Sequence, residues 1–362
     1  MSITTGDETP ARRNASPGPE RSGGANLADV ARLAGVSRAT ASRVLAGRAA
    51  GKAASHARVL AAAEELGYVV NGLARSMMGV GMRSIAFVSS MMVGPTFASM
   101  AAGAEDVATA NGHLFTMCTT GGDVEREAAL IDTLTEQRVA AVLLVGATPA
   151  TEEFEQRAQR YADALSRVGA QLILCGRAAL PHLPHIASID YDHRGGVHRG
   201  VAHLVGLGHR RIAFVGSLDE TTTSHQRFLG YQDGLSDAGL PFDEALSIPS
   251  GNTSDEAASA TRDFIASHQD VTAIVCQTDI MAVGVCRALH EAGIPIPQQV
   301  SVVGFDDMQL VADLTPSLTT VRAPFHDVGE LAGRIAVGMP YNEPIVLPSE
   351  LIVRGSSGPV GG

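Results

Sequence analysis

From residue 84 onward, short apolar runs alternate with longer amphipathic stretches, and that alternation limits the folds open to the chain. Runs at 84–88, 113–118, 141–145, 172–175, 211–215, 272–276 and 300–303 read as strands. Stretches at 97–111, 125–137, 195–207, 223–238 and 281–292 read as helices between them. A strand that is apolar at nearly every position must be covered on both faces, as in a parallel sheet between helical layers. So many strands in 362 residues suit two doubly wound sheets better than one. Ligands of open α/β sheets collect at the carboxyl ends of the strands, and a cleft between lobes is a common pocket.

The stretch 26–78 is of another kind. Asn26 can cap a helix over 27–34, with Val30, Leu33 and Ala34 on one face. Gly35 permits a tight turn. Ser37 caps a second helix reaching about residue 46, with Ala41, Val44 and Leu45 inward. A third helix over 55–66 places Val59, Leu60, Ala63 and Leu66 on one side. Two short helices joined by a glycine turn and braced by a third make a helix-turn-helix. Arg38, Ala39 and Arg43 face outward on the second helix. An arginine can bond both acceptors of a guanine, and an alanine methyl can touch thymine. Ser37, Thr40 and Ser42 suit phosphate oxygens.

Charge follows the same division. Between residues 26 and 83, eight basic residues face three acidic ones, a balance of +5. The whole chain carries −11 and residues 1–25 are balanced, so the part beyond residue 83 carries −16. Only the head would attract a polyanion.

Other function classes find little support. No run reaches 18 uninterrupted apolar residues, so no membrane span is expected. The first residues lack the basic-then-apolar pattern of a secretion leader. Cys118, Cys175, Cys276 and Cys286 form no C-x-x-C pair and read as reduced thiols of a cytoplasmic protein. Residues 1–25, rich in Pro, Gly, Ser and Thr, read as a disordered tail. His182 and His185 sit among prolines that block a helical His-x-x-His face, so no metal site is expected. Gly79 and Gly81 precede a strand, the wrong order for a dinucleotide fingerprint. No G-x-S-x-G occurs. No cofactor and no catalytic residue are expected, and the chain does not read as an enzyme.

ADVARLAGVSRATASRVL, followed by EELGYVVNGLARSMM, resembles the DNA-binding head and hinge of LacI/GalR-family transcriptional regulators. Further signatures extend the resemblance to about residue 358. They are Leu207-Gly208-His209-Arg210-Arg211-Ile212, Arg227-x-x-Gly230-Tyr231 and Thr278-Asp279-Ile280-Met281-Ala282. Val302-Val303-Gly304-Phe305-Asp306-Asp307 and Leu318-Thr319-Thr320-Val321-Arg322 complete the set. The resemblance implies a helix-turn-helix head at 26–70 and a hinge helix with linker at 71–83. It implies a two-lobed, doubly wound effector domain of the periplasmic-binding-protein type I fold at 84–358, with 359–362 as a tail. Crossovers between the lobes are expected near Ile189, Ala323 and Tyr341.

The resemblance also carries roles. It adds Leu27, Asn71, Ala74 and Met77 to the expected DNA contacts. Met77 stands where the family uses a leucine wedge in the minor groove, and Val70 replaces a usual proline. An effector, a sugar or related metabolite, would meet Thr96, Phe97, Arg227, Gln277, Asp279, Asp306 and Phe325. Arg227 could donate a forked pair of hydrogen bonds, and Phe325 could cover an apolar face. Asp279 and Asp306 could accept hydroxyl protons from a ligand, or could instead cap following helices.

Met91, Gly94 and Gly176 stand where the family is often polar. The amino-terminal wall of the cleft should therefore be less polar and roomier, suiting a bulkier or less hydroxylated effector than a plain hexose. The expected whole is a cytoplasmic repressor that reads a near-palindromic double-stranded operator as a homodimer. The chain end lacks the leucine heptads of a tetramer-forming helix, which favours a dimer. A solute-binding protein of an uptake system shares the two-lobed fold and is the alternative, although it would carry a leader and no basic head.

Overall fold

The computed structural model describes residues 25–45, 53–68, 83–90, 94–147, 149, 151–217 and 221–361. The expected hinge residues Asn71, Ala74 and Met77 lie outside the described residues, as do Val70, Met91 and residues 1–24. The chain divides into two compact units, Met1–Met82 and Arg83–Gly362.

In the first unit, α1 (Leu27–Leu33) starts at a reciprocal cap. The Asn26 side chain accepts from the amide of Ala28 at 2.9 Å, and Asp29 accepts from the amide of Asn26 at 3.1 Å. Gly35, at φ +64°, turns the chain into α2 (Arg38–Leu45). With α3 (Ala53–Glu65), these helices enclose Val30, Ala34, Ala41, Val44, Val59 and Ala62. Leu33 and Leu60, expected inside, are each 47% exposed. On α3 the buried face is Val59, Ala62 and Ala63, at i, i+3 and i+4, which leaves Leu60 a quarter-turn aside. Small residues let these short helices approach closely, and the leucines stay at the margin.

The second unit holds two six-stranded sheets. The first contains β1 (Ile85–Ser89), β2 (Phe115–Thr119), β3 (Ala141–Val145), β4 (Gln171–Cys175), β5 (Ala187–Tyr191) and β11 (Ile345–Leu347). Its spatial order is β11-β5-β4-β3-β1-β2, with parallel pairing throughout. The second contains β6 (Ile212–Gly216), β7 (Ser247–Pro249), β8 (Ala273–Cys276), β9 (Ser301–Asp306), β10 (Thr319–Arg322) and β12 (Glu350–Ile352). Its order is β12-β10-β9-β8-β6-β7, and only β12 runs antiparallel to its neighbour.

Helices α4 (Pro95–Ala110), α5 (Val124–Glu136), α6 (Glu152–Arg167) and α11 (Phe325–Ala336) belong with the first sheet. Helices α7 (His193–Gly206), α8 (Thr222–Asp237), α9 (Ser254–Ile265) and α10 (Asp279–Glu291) belong with the second. Strands β1, β3, β6 and β8 are buried along their whole length and β4 and β9 along nearly all of it, which explains their nearly unbroken apolar sequence. Helices α4 and α11 meet backbone to backbone: a methyl added at Gly329 would collide with the Met100 carbonyl. The cysteines are free, and burial raises the thiols of Cys175, to about 12, and of Cys276.

The chain changes sheets at Asp192, at Ala323-Pro324 and at Pro348-Ser349. The third passage corrects the expectation at Tyr341, which still belongs to the first lobe ahead of β11. The first and third passages are bonded together. Arg199 donates to the Asp192 carboxylate at 3.1 Å and to the Ser349 carbonyl at 2.8 Å. Strands β5, β7, β10, β11 and β12 were not among those expected. In β5 the reason is chemical: Ser188 and Asp190 interrupt the apolar run, yet both are buried and hydrogen-bonded.

Candidate functional site

Two surfaces carry the chemistry. The first is the outward face of α2. The Ser37 hydroxyl caps the helix, accepting from the Thr40 amide at 3.1 Å and sharing a hydrogen bond with the Thr40 hydroxyl at 2.9 Å. Arg38, Ala39 and Arg43 are exposed, and the Arg43 Nε donates to the Ala39 carbonyl at 3.3 Å. Ser42 is half-buried, and Leu27 packs against the head's core. The Arg38 guanidinium from the first turn and the Arg43 guanidinium from the last turn of this short helix form a cationic edge that fits a groove lined by acceptors.

The second surface is where the carboxyl ends of both sheets meet the crossovers. Arg227 of α8 is the centre of its hydrogen bonding. The group is 3% exposed and every nitrogen has a partner. Nη1 donates to the Gln277 carbonyl at 2.6 Å. Nη2 donates to the Tyr191 hydroxyl at 3.1 Å and to the Asp306 carboxylate at 3.2 Å. Nε donates to His193 Nδ1 at 3.3 Å, and the guanidinium lies over the Phe305 ring, 3.7 Å from its centroid. Accepting at Nδ1 fixes the tautomer of His193, so its Nε2–H donates to Asp190 at 3.1 Å. Burial lowers the pKa of His193 and keeps it neutral. Tyr191 and Asp190 belong to the first lobe; Arg227, Gln277 and Asp306 belong to the second. One guanidinium therefore spans the lobes.

Asp306 is also conformationally unusual. It has φ +120° and its neighbour Asp307 has φ +53°, where non-glycine residues are rare. Such backbone costs on the order of 1–3 kcal/mol per residue and clusters at functional sites. Asp307 is held there by Arg354 at 2.6 Å and Arg322 at 2.7 Å. Burial raises the Asp306 carboxyl to about 6 against the opposing effect of Arg227.

Asp279 is placed differently. It is fully buried at the start of α10 and both oxygens are used internally. One accepts from the Met308 amide at 2.8 Å, the other from the Thr320 hydroxyl at 2.6 Å. The side chain ties α10 to the turn after β9 and to β10.

Burial, then the charge of Asp306, pushes the Asp279 carboxyl up to about 8. The folded chain keeps a proton that the unfolded chain loses near pH 4, roughly the ordinary carboxylate value. This group's contribution to stability is therefore full below that point and declines as pH rises toward 8. Asn at 279 would keep the shape of the protonated acid, because the Thr320 hydroxyl can rotate to accept. D279N should flatten the fall of the thermal midpoint across that window; equal slopes in both proteins would remove this assignment.

The remaining expected residues surround the passage at 323–324. Thr96, Asp306, Arg322 and Phe325 line a cavity of about 420 Å³ that reaches from α4 to β9. Phe325 meets the Tyr191 ring edge-on at 5.3 Å between centroids. Phe97 lies against Gly146 at the end of β3, and the Gln277 amide donates to the Ser224 hydroxyl at 2.7 Å. The extra room expected at Gly176 is not open. A Cβ there would lie 3.0 Å from the Met100 methyl, so Met100 already fills the space. A larger cavity of about 920 Å³, lined by Phe154, Arg177, Pro181 and Thr222, opens at the mouth.

Sequence reasoning missed Asp190, Tyr191, His193, Phe305 and Arg177 as parts of this region. The usable signal was a titratable, hydrogen-bonding run, Asp190 to His193, between an apolar stretch and a helix.

Comparison with known proteins supplies a frame. The family model described as bacterial regulatory proteins, lacI family, matches residues 26–71, and that of a periplasmic binding protein-like domain matches residues 201–357. An uncharacterized HTH-type transcriptional regulator in the aml 5' region of Streptomyces limosus is 36% identical, over 96% of this chain and 97% of that protein. A Lac repressor dimer bound to operator and the anti-inducer ONPF superposes with a TM-score of 0.82 at 25% identity, covering 93% of this chain and all of that one. A complex of the transcriptional regulator CelR with cellobiose gives a TM-score of 0.67 at 28% identity, covering 92% of this chain and 99% of that one.

Proposed function

The chain belongs to the LacI family of bacterial regulatory proteins and is a DNA-binding transcriptional regulator; from this premise we propose how it is controlled. It acts as a homodimeric repressor in the cytoplasm. Each head lays α2 in the major groove of one operator half-site, with Arg38 and Arg43 reading base edges and Ser42 near the phosphates. Met77 enters the minor groove at the centre of the site. A small effector binds between the lobes and changes operator affinity, and by linkage DNA changes effector affinity in equal measure.

The single observation that supports the effector reading is the interlobe clamp on Arg227. Its charge is met inside the protein by Asp306 at 3.2 Å. A ligand arriving there finds hydrogen-bonding groups and the Phe325 ring rather than a bare cation. That favours a neutral, polyhydroxylated molecule with one apolar face. With the large cavity at the mouth, the reading extends to a saccharide longer than a hexose. CelR, a relative of this chain, binds cellobiose.

The test begins with a duplex selected from a random pool by the full-length protein. Fluorescence anisotropy then follows its affinity during titration with cellobiose, other neutral oligosaccharides, glucose and glucose 6-phosphate. A neutral oligosaccharide should move the affinity by about 5-fold or more, the lower range of allosteric coupling. A response to glucose or to the phosphate alone would overturn the proposed effector class. Failure to select any duplex would overturn the proposed mode of DNA reading.

A further inference from the structure

Arg83 is the first described residue after the segment that leads from the head, and its side chain is gripped on four sides. Nε donates to the Arg138 carbonyl at 2.8 Å and Nη1 to the Gly169 carbonyl at 2.9 Å. Nη2 donates to the Val139 carbonyl at 2.6 Å and the Val168 carbonyl at 2.9 Å. The Arg83 carbonyl is held as well, by His113 Nδ1 at 2.7 Å. The four side-chain acceptors lie just past the carboxyl ends of α5 and α6. Those ends carry unpaired carbonyls and the negative pole of the helix dipole, so a guanidinium suits them.

The opposite ends of the same helices lie on the carboxyl side of the first sheet's strands, and that of α6 is at the cleft. Helix α5 starts at Asp123 after β2, and α6 starts at Thr151 after β3. Thr151 and Glu152 line the large cavity at the mouth. Helix α6 has 16 residues, so it spans about 24 Å from cleft to clamp. Arg157 and Glu127, an ion pair at 3.3 Å with both side chains mostly buried, join the two helices. A movement of the cleft rim would carry both helices together, and the clamp would carry the movement to the start of the linker.

We propose that Arg83 is the positioning residue that couples the cleft to the DNA-binding head, by fixing the linker's end to the carboxyl termini of α5 and α6. The inference rests on the DNA-binding function, and DNA itself can serve as the probe. Hydrogen–deuterium exchange on the full chain, with and without the selected duplex, is read at peptides covering 124–136 and 152–167. Coupling of the usual size predicts a change of about 5-fold or more in exchange rate there for the native protein. R83M should still bind the duplex through its head and unfold at a urea midpoint near the native one, yet lose most of that change. R83Q, which keeps one donor group, covers the case in which R83M does not fold. An undiminished change in either folded variant would overturn the proposal, and so would a native protein that binds the duplex without any change. If no duplex is selected, the functional reading falls first and the inference with it.

Discussion

Replacement of Arg227 by methionine is expected to destabilise the second unit by about 3–5 kcal/mol, the usual consequence of removing one partner from a buried ion pair. The loss has identifiable parts. Asp306 would remain buried with its cation gone, at a backbone angle it already holds under strain. The Tyr191 hydroxyl, the Gln277 carbonyl and His193 Nδ1 would each lose a donor. Methionine fills part of the volume over Phe305, so packing loss adds little. Urea unfolding of the full chain measures the effect, and a change below about 1 kcal/mol would show that the clamp does not hold the lobes. A second substitution sharpens the result. Adding D306N to R227M removes the stranded charge, so the double variant should recover part of the stability lost by the single one. Additive losses would mean that the two groups act independently. The response to effector should vanish in both.

Arg38→Ala is expected to produce the largest change in DNA binding. A bidentate arginine contact contributes about 1–3 kcal/mol of discrimination. A dimer carries two copies, so operator affinity should fall by about 2–6 kcal/mol, or roughly 30-fold to 10⁴-fold. Arg38 is exposed and makes no internal hydrogen bond among the described residues, so the head should keep its fold. Binding to unselected DNA should fall far less, because that affinity comes mainly from phosphate charge and is set by salt. Anisotropy against the selected duplex and a scrambled one separates the two terms. An equal loss on both duplexes would make Arg38 a phosphate contact instead of a base contact. Arg43 should show a smaller loss, since its Nε is partly occupied by the Ala39 carbonyl.

The sequence made the alternation of strand and helix legible because parallel strands buried on both faces have no room for polar residues. It made β5 illegible for the same reason. Ser188 and Asp190 are polar, yet they sit in a buried strand because Arg177 and His193 satisfy them. The strand breaks the pattern at the position where the site begins. Within the site, Arg227, Asp279 and Asp306 could be picked out by their places after strands or on a following helix. Their division of labour could not. Asp279 and Asp306 look equivalent in sequence, but Asp279 spends both oxygens on Met308 and Thr320 whereas Asp306 faces Arg227. That distinction depends on the positive φ angles of 306 and 307, which no residue type announced. In the head, spacing placed the helices well but overcounted their core, because it ranked leucines above the alanines that set the contact distance.

The three passages between the sheets have a consequence for synthesis. Helix α11 and strand β11 complete the first lobe, but they are made after nearly all of the second. When the ribosome has released residues 83–191, the emerging lobe has an open edge at β5 and a bare face on α4 around Met100, Gly103 and Ala104. Both stay uncovered until roughly 150 further residues have been translated, on the order of ten seconds or more at bacterial rates. An exposed strand edge of this kind is a site for wrong pairing between nascent chains. The head, by contrast, closes its own small core from the first 68 residues. The part of the molecule that meets DNA can thus be finished while the part that regulates it is still incomplete.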